Sequence, residues 1–425
     1  MWIVSPGKFN LNFGELMKHY AKQITTLAGL AFLSACGSSQ NTPRQSTYLT
    51  VVDAGSSGSR AYLYKLVPAG DFVEIESMAE VEPAGLKALS GFEGDTLQAG
   101  PQGIEPLLDA IAQVLATSAI PKSQVRVDVL ATAGMRLVEQ ANPLAASAIY
   151  ASVRDTIAAS GYQTGGVETI SGVNEGLYAW VDVNYLYRNF QQGVGTNGIV
   201  EVGGASAQVT YAASDERHPS VTSHVINGVS YPVLSVSYLG LGQNEARKAM
   251  INVAGTSNNA CYPNNQSGST PVSFNADTVK PAYTISSGAY RQADCDGHYR
   301  SVLNDYGIKR TAIASGFDNT TFVGMSSIFF SMRDWNVLEQ PATLGSQVRA
   351  SCSGGDAWSL NVVTAQKGTS KFVQNACANG TYLNALLFDT TSGLGLRGAQ
   401  IKAIEKISGS TPTWTRGYAV LLGQQ

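Results

Sequence analysis

Two stretches of this chain use the same device. In the first, the apolar run Tyr48-Leu49-Thr50-Val51-Val52 leads into Asp53-Ala54-Gly55-Ser56-Ser57-Gly58-Ser59-Arg60. In the second, Gly198-Ile199-Val200 leads into Glu201-Val202-Gly203-Gly204-Ala205-Ser206-Ala207-Gln208. Each reads as a buried strand, then a carboxylate, then a turn of small residues. Glycine lets backbone N–H groups approach an anion, and serine hydroxyls add donors. A carboxylate beside such a turn repels a bare phosphate, so the pattern makes sense with a divalent cation between them. Two such turns facing each other would grip a polyphosphate from both sides.

The rest of the chain fits a mixed α/β protein in two halves. Its 425 residues are enough for two cores. Only 14% of residues are charged and the net charge is −3, which gives no basic surface for nucleic acid. Strands are expected at 48–52, 61–67, 72–81 and 125–131. Ile104, Leu107, Leu108, Ile111 and Leu115 recur at helical spacing. Asn142 to Ser160 reads as a helix with Pro143 in its first turn. The pattern then restarts with strands at 198–202, 207–212 and through 221–239. Residues 255–288 read as a polar insertion. Helical segments are expected at 326–332, 379–387 and 397–407, and an apolar run, 414–422, ends the chain.

The first residues read as an export leader. Met17-Lys18-His19-Tyr20-Ala21-Lys22 is cationic, Ile24 to Leu33 is mostly apolar, and Leu33-Ser34-Ala35-Cys36-Gly37 offers a small-residue cleavage site. Met17 reads as the start, with residues 1–16 an upstream extension. The Leu-Ser-Ala-Cys quartet resembles the lipobox of bacterial lipoproteins, which implies a lipid on Cys36; the plainer reading is a secretory signal with an incidental cysteine. Residues 37–46 form a polar tether. The remaining cysteines, Cys261, Cys295, Cys352 and Cys377, allow three pairings. Cys261–Cys295 with Cys352–Cys377 closes the shortest loops and is the expected set.

Read in order, these segments resemble the signature regions of the ecto-nucleoside triphosphate diphosphohydrolases, the apyrase family. The segments are Asp53 to Arg60, Ala131-Thr132-Ala133-Gly134-Met135-Arg136, Ile170-Ser171-Gly172-Val173-Asn174-Glu175-Gly176-Leu177-Tyr178-Ala179-Trp180, Glu201 to Gln208, and Trp414-Thr415-Arg416-Gly417-Tyr418. The resemblance implies an α/β fold with two ribonuclease-H-like lobes around a central cleft, as in the actin, sugar-kinase and heat-shock ATPase superfamily. It implies one lobe of residues 47–175 with 408–425 and a second of residues 176–407. Gly55, Ser56, Ser57, Gly58 and Ser59 with Gly203, Gly204 and Ala205 would cradle phosphates. Asp53 and Glu201 would hold Mg²⁺ or Ca²⁺ largely through water. The family usually has Asp at the second position, so Glu201 is a departure that could shift metal contact.

Glu175 then matches the family's catalytic base, with Ser206, Gln208 and Thr132 near the attacking water. The alternative for Glu175 is an acid complementing a helix dipole. Arg60 and Arg136 either offset phosphate charge or form structural ion pairs. Phe330 and Phe372 are candidates to stack on the nucleobase, with core packing as the alternative. The implied activity is cation-dependent hydrolysis of nucleoside tri- and diphosphates to monophosphates, outside the cytosol. Two rivals remain at this level: an exopolyphosphatase or guanosine-pentaphosphate phosphohydrolase, and a non-hydrolytic nucleotide-binding module.

Overall fold

The computed structural model describes residues 46–70, 72–255, 260–262, 267–272, 283–287, 289–353 and 375–424, with 267–272 and 283–287 described as backbone only. Cys36 and Phe372 lie outside these residues.

Two sheets carry the fold. Strands β1 (Thr47–Gly55), β2 (Gly58–Ala69), β3 (Phe72–Val81), β4 (Val125–Ala131) and β5 (Gln163–Thr169) form the first, in the order β3-β2-β1-β4-β5. β1 and β2 are antiparallel, and β1, β4 and β5 are parallel. Helices α1 (Glu105–Thr117), α2 (Ala133–Ala141) and α3 (Pro143–Ala159) come between the parallel strands in sequence. After α4 (Gly172–Leu186) the second sheet begins with β6 (Gly198–Val202), β7 (Ser206–Ala212), β8 (Val221–Ile226) and β9 (Val229–Leu239). Its remaining strands are β10 (Phe322–Ser326) and β11 (Ile401–Ala403), and its order is β11-β10-β6-β7-β9-β8.

The period of two along the strands sorts the cores. On β1, Val51 joins a central cluster with Trp180, Ile199, Val323 and Trp414, while Val52 joins an outer one with Leu107, Ile111 and Ile149. On β6, Ile199 faces the centre and Val200 faces a third cluster holding both disulfides. The central cluster therefore draws side chains from both sheets, with α4 and the C-terminal helix α10 (Trp414–Gly423) between them. Small residues make that possible. A Cβ on Gly176 would stand 2.6 Å from Thr210 Oγ1, so α4 lies directly on the second sheet; one on Gly417 would stand 1.8 Å from the Tyr178 carbonyl, so α10 lies directly on α4. Tyr64 on β2 and Thr415 on α10 share a buried 2.7 Å hydrogen bond.

The outer side of the second sheet carries α5 (Gln243–Ala254), α6 (Gln292–Tyr306), α7 (Ser327–Asp334), α8 (Leu344–Cys352) and α9 (Ala376–Phe388). Cys261 bonds to Cys295 and Cys352 to Cys377, the pairing with the shortest loops. One sequence expectation fails. Residues 397–407 are not helical: Gly398–Gln400 is a single 3-10 turn and Ile401–Ala403 is strand β11, parallel to β10. Pairing at the sheet edge overrides a local pattern too short to hold a helix by itself.

Candidate active site

Each acid–glycine–serine segment is the tip of an antiparallel hairpin. Asp53 on β1 lies opposite Arg60 on β2, and Gly55 opposite Gly58, leaving Ser56-Ser57 as the turn. Glu201 on β6 lies opposite Gln208 on β7, and the Gly203 N–H donates to the Ser206 carbonyl at 3.0 Å across the second tip. The tips come together. A Cβ on Gly204 would stand 2.7 Å from Ser56 Oγ. Another glycine, Gly134 at the start of α2, would with a Cβ touch the Ser56 Cα at 3.0 Å. Thr132, just before α2, is buried and its N–H donates to the Ala54 carbonyl at 3.2 Å, so it borders the first tip.

Glu175 lies in the first turn of α4, with Leu177, Trp180 and Val181 of that helix buried. The Ser171 side chain caps the helix by accepting from the Asn174 N–H at 3.1 Å. This presents the Glu175 carboxylate to β7. Gln208 Nε2 donates to Glu175 Oε2 at 3.2 Å and to Ser206 Oγ at 2.7 Å, and Arg136 Nη2 pairs with the same Glu175 oxygen. The structure thus joins Glu175, Gln208, Ser206 and Arg136 in one network. Ser237 on β9 belongs to it as well, accepting from Gln208 at 3.3 Å. Its only sequence signal is strand register opposite Gln208, which needs the pairing to be known.

The carboxylates are held in an environment that resists their charge. Burial pushes Asp53 up to about 7, against the opposing pull of Arg60. Burial, with the nearby Glu175 and Asp53 charges adding to it, pushes Glu201 up to about 8. Glu175 is also raised by burial, with Arg136 working against the shift. Glu201 Oε1 accepts from Ser326 at 3.0 Å, while its Oε2 is buried with no partner. Arg60 is committed to Glu82 at 2.9 Å. A site where acids repel one another and one buried oxygen lacks a partner suits a cation. Among the described residues no three His, Cys, Asp or Glu side chains are grouped to hold a metal unaided. A hard divalent ion here would complete its shell with water and substrate oxygens.

Phe330 on α7 is 49% exposed, with the Arg333 guanidinium 5.2 Å from its ring centroid, whereas its neighbour Phe329 is buried. Exposure leaves that ring a free face. Helix α7 is tied to α5, since Gln243 Nε2 donates to Ser331 Oγ at 3.2 Å.

Residues 39–425 match the family model described as GDA1/CD39 (nucleoside phosphatase) family. The chain belongs to that family. Among curated relatives, a nucleoside-triphosphatase of Pisum sativum is 32% identical over 231 residues, covering 51% of this chain and 50% of that protein. The ectonucleoside triphosphate diphosphohydrolase 1 of Bos taurus is 24% identical over 461 residues, covering 96% of this chain and 88% of its own length. The chain thus spans about half the length of several curated relatives it matches and most of the bovine one. A nucleoside triphosphate hydrolase from Neospora caninum superposes with a TM-score of 0.58 at 15% identity, covering 89% of this chain and 94% of that one. That likeness supports the fold, a mixed α/β arrangement built on two sheets.

Proposed function

We propose that this protein hydrolyses nucleoside tri- and diphosphates to monophosphates, with Mg²⁺ or Ca²⁺ required. The observation that carries the proposal is the meeting of the two hairpin tips at Ser56 and Gly204 beside the Glu175–Gln208–Ser206 network. Gly55, Ser56, Ser57, Gly58 and Ser59 from one lobe and Gly203, Gly204 and Ala205 from the other would grip the phosphate chain from opposite sides. A water held by Ser206, Gln208 and Thr132 would attack the terminal phosphorus in line. Its proton would pass to Glu175, and the bond to the bridging oxygen would break. Asp53 and Glu201 would hold the cation, which when bound neutralises phosphate charge. The names of the pea and bovine relatives, a nucleoside-triphosphatase and an ectonucleoside triphosphate diphosphohydrolase, support this substrate class. Phe330 would stack on the base, and Phe372 is a second candidate for that role.

The disulfides fit an oxidising compartment, so we place the protein outside the cytosol, with Cys36 as the site of a lipid anchor.

Phosphate release should be measured with ATP, ADP, AMP and long-chain polyphosphate, with and without chelator. ATP and ADP are expected to be cleaved and AMP not, and chelation is expected to abolish turnover until Mg²⁺ or Ca²⁺ is restored. Preference for polyphosphate would favour the exopolyphosphatase reading instead, and binding without turnover would favour a nucleotide-binding module.

Filling the gap between the tips should cost binding without unfolding the protein. Gly204→Val is expected to raise KM for ATP by roughly tenfold or more, because its side chain would occupy the space 2.7 Å from Ser56 Oγ. Steady-state kinetics with a thermal melt would check this, and an unchanged KM would remove Gly204 from the phosphate grip.

A further inference from the structure

Helix α5 follows β9 and begins directly under the second tip. The Gln243 N–H donates to the Gly203 carbonyl at 2.9 Å, and the Asn244 N–H to the Gly204 carbonyl at 2.9 Å. The Asn244 side chain is half-buried. Arg247 Nη2 donates to Asn244 Oδ1 at 2.9 Å. A guanidinium can only donate, so the oxygen of the amide must face it and the NH₂ must face away. That NH₂ points at the notch between the tips: a Cβ on Gly204 would stand 3.3 Å from Asn244 Nδ2 and 2.7 Å from Ser56 Oγ. One point above Gly204 is thus flanked by a hydroxyl from the first lobe and an amide from the second. Asn244 Nδ2 donates to nothing else among the described residues.

Arg247 itself is unusual. It is only 2% exposed, yet its hydrogen bonds go to amide and backbone oxygens: Asn379 Oδ1 at 2.7 Å, Asn244 Oδ1 and, more weakly, the Gln243 carbonyl at 3.4 Å. The nearby Glu245 is itself paired with Lys248 at 3.3 Å. This buried cation fixes the orientation of both amides: Asn379 Nδ2 then donates to Gln243 Oε1 at 3.2 Å, while Asn244 Nδ2 faces the notch.

We infer that Asn244 is a further phosphate-binding residue, donating from Nδ2 to a non-bridging oxygen of the phosphate chain in the notch over Gly204, and that Arg247 is the positioning residue that aims it. This rests on the hydrolase reading above. Its ligand class is the phosphate chain itself, independent of the base.

The test is Asn244→Asp. The new carboxylate gives Arg247 an ion-pair partner and places a negative charge where phosphate binds. The thermal midpoint of the nucleotide-free protein is expected to hold or rise, while KM for ATP rises at least about tenfold, the equivalent of losing one hydrogen bond to a charged group. Asn244→Ala should also raise KM, with a lower thermal midpoint because it takes an acceptor from the buried Arg247. A merely structural asparagine predicts the reverse for Asn244→Asp: fold and KM both kept or both damaged. Because the notch reads phosphate, Asn244→Asp should weaken inorganic triphosphate as a competitor by the same factor as ATP. If KM for ATP stays within twofold of wild type in both variants while Glu175→Gln is inactive, the assignment of Asn244 is overturned and the hydrolase reading stands. If Glu175→Gln is fully active, it is the hydrolase reading that fails.

Discussion

Glu175→Gln is expected to bind nucleotide normally and to lose phosphate release by about 10²–10⁴-fold, the usual contribution of a general base. The substitution keeps the shape of the side chain and can still accept from Arg136 and Gln208. What it removes is the capacity to take a proton from water. Isothermal titration of the nucleotide together with single-turnover phosphate release separates these two properties. Turnover within threefold of wild type would return Glu175 to the dipole-complementing role that any acid in a first helical turn can play. The pH profile gives a second readout of the same residue. Burial raises the Glu175 carboxyl above the ordinary range, although Arg136 opposes the shift. A base must be deprotonated to act, so activity is lost as pH falls through that raised value. The acid limb of kcat/KM should therefore lie above the usual glutamate range, and the residual activity of Glu175→Gln should lack that limb.

Much of this site is legible in the sequence because its chemistry is local. A strand, an acid and a glycine–serine turn are contiguous, so Asp53 to Ser59 and Glu201 to Ala205 announce themselves. The Ser171 cap and the apolar positions of α4 likewise place Glu175 at a helix start. Ser237 and Asn244 are invisible by the same logic. Ser237 matters only because β9 pairs with β7 in one register, and Asn244 only because α5 begins beneath Gly204. Strand β11 reads as helix in the sequence because three residues at a sheet edge depend on their partner β10 rather than on their own pattern. The segment Trp414 to Tyr418 shows the opposite kind of surprise. It resembles a functional signature, yet most of its contacts tie the C-terminal helix to the rest of the fold. Thr415 bonds to Tyr64, Arg416 to Asp182, Gly417 lies against the Tyr178 carbonyl and Tyr418 donates to Asp128 at 2.9 Å. Its link to the site is Trp414, which lies near enough to Asp53 to work against the rise that burial imposes on that carboxyl.

That packing makes Arg416→Ala the substitution expected to cost the most stability. Arg416 Nη1 donates to Asp182 Oδ1 at 3.0 Å and to Oδ2 at 3.3 Å, and the Thr413 N–H adds a third bond at 2.6 Å. Asp182 is fully buried and Arg416 nearly so. Removing one partner of a buried ion pair typically costs about 3–5 kcal/mol, because the other charge is stranded. The thermal midpoint should fall by several degrees, and the loss should depend on pH. Burial already raises Asp182 to about 6 in the intact pair, with Arg416 pulling the other way. Without Arg416 that value rises further. A carboxyl whose folded pKa lies above its unfolded one costs stability as pH rises through the interval between them. The deficit of Arg416→Ala relative to wild type should thus be smallest near pH 5 and grow toward pH 8. The double variant Asp182→Leu with Arg416→Leu, which buries no charge, should recover part of the loss. Equal deficits at pH 5 and 8, with no recovery in the double variant, would mean that α10 is anchored by its apolar and glycine contacts alone.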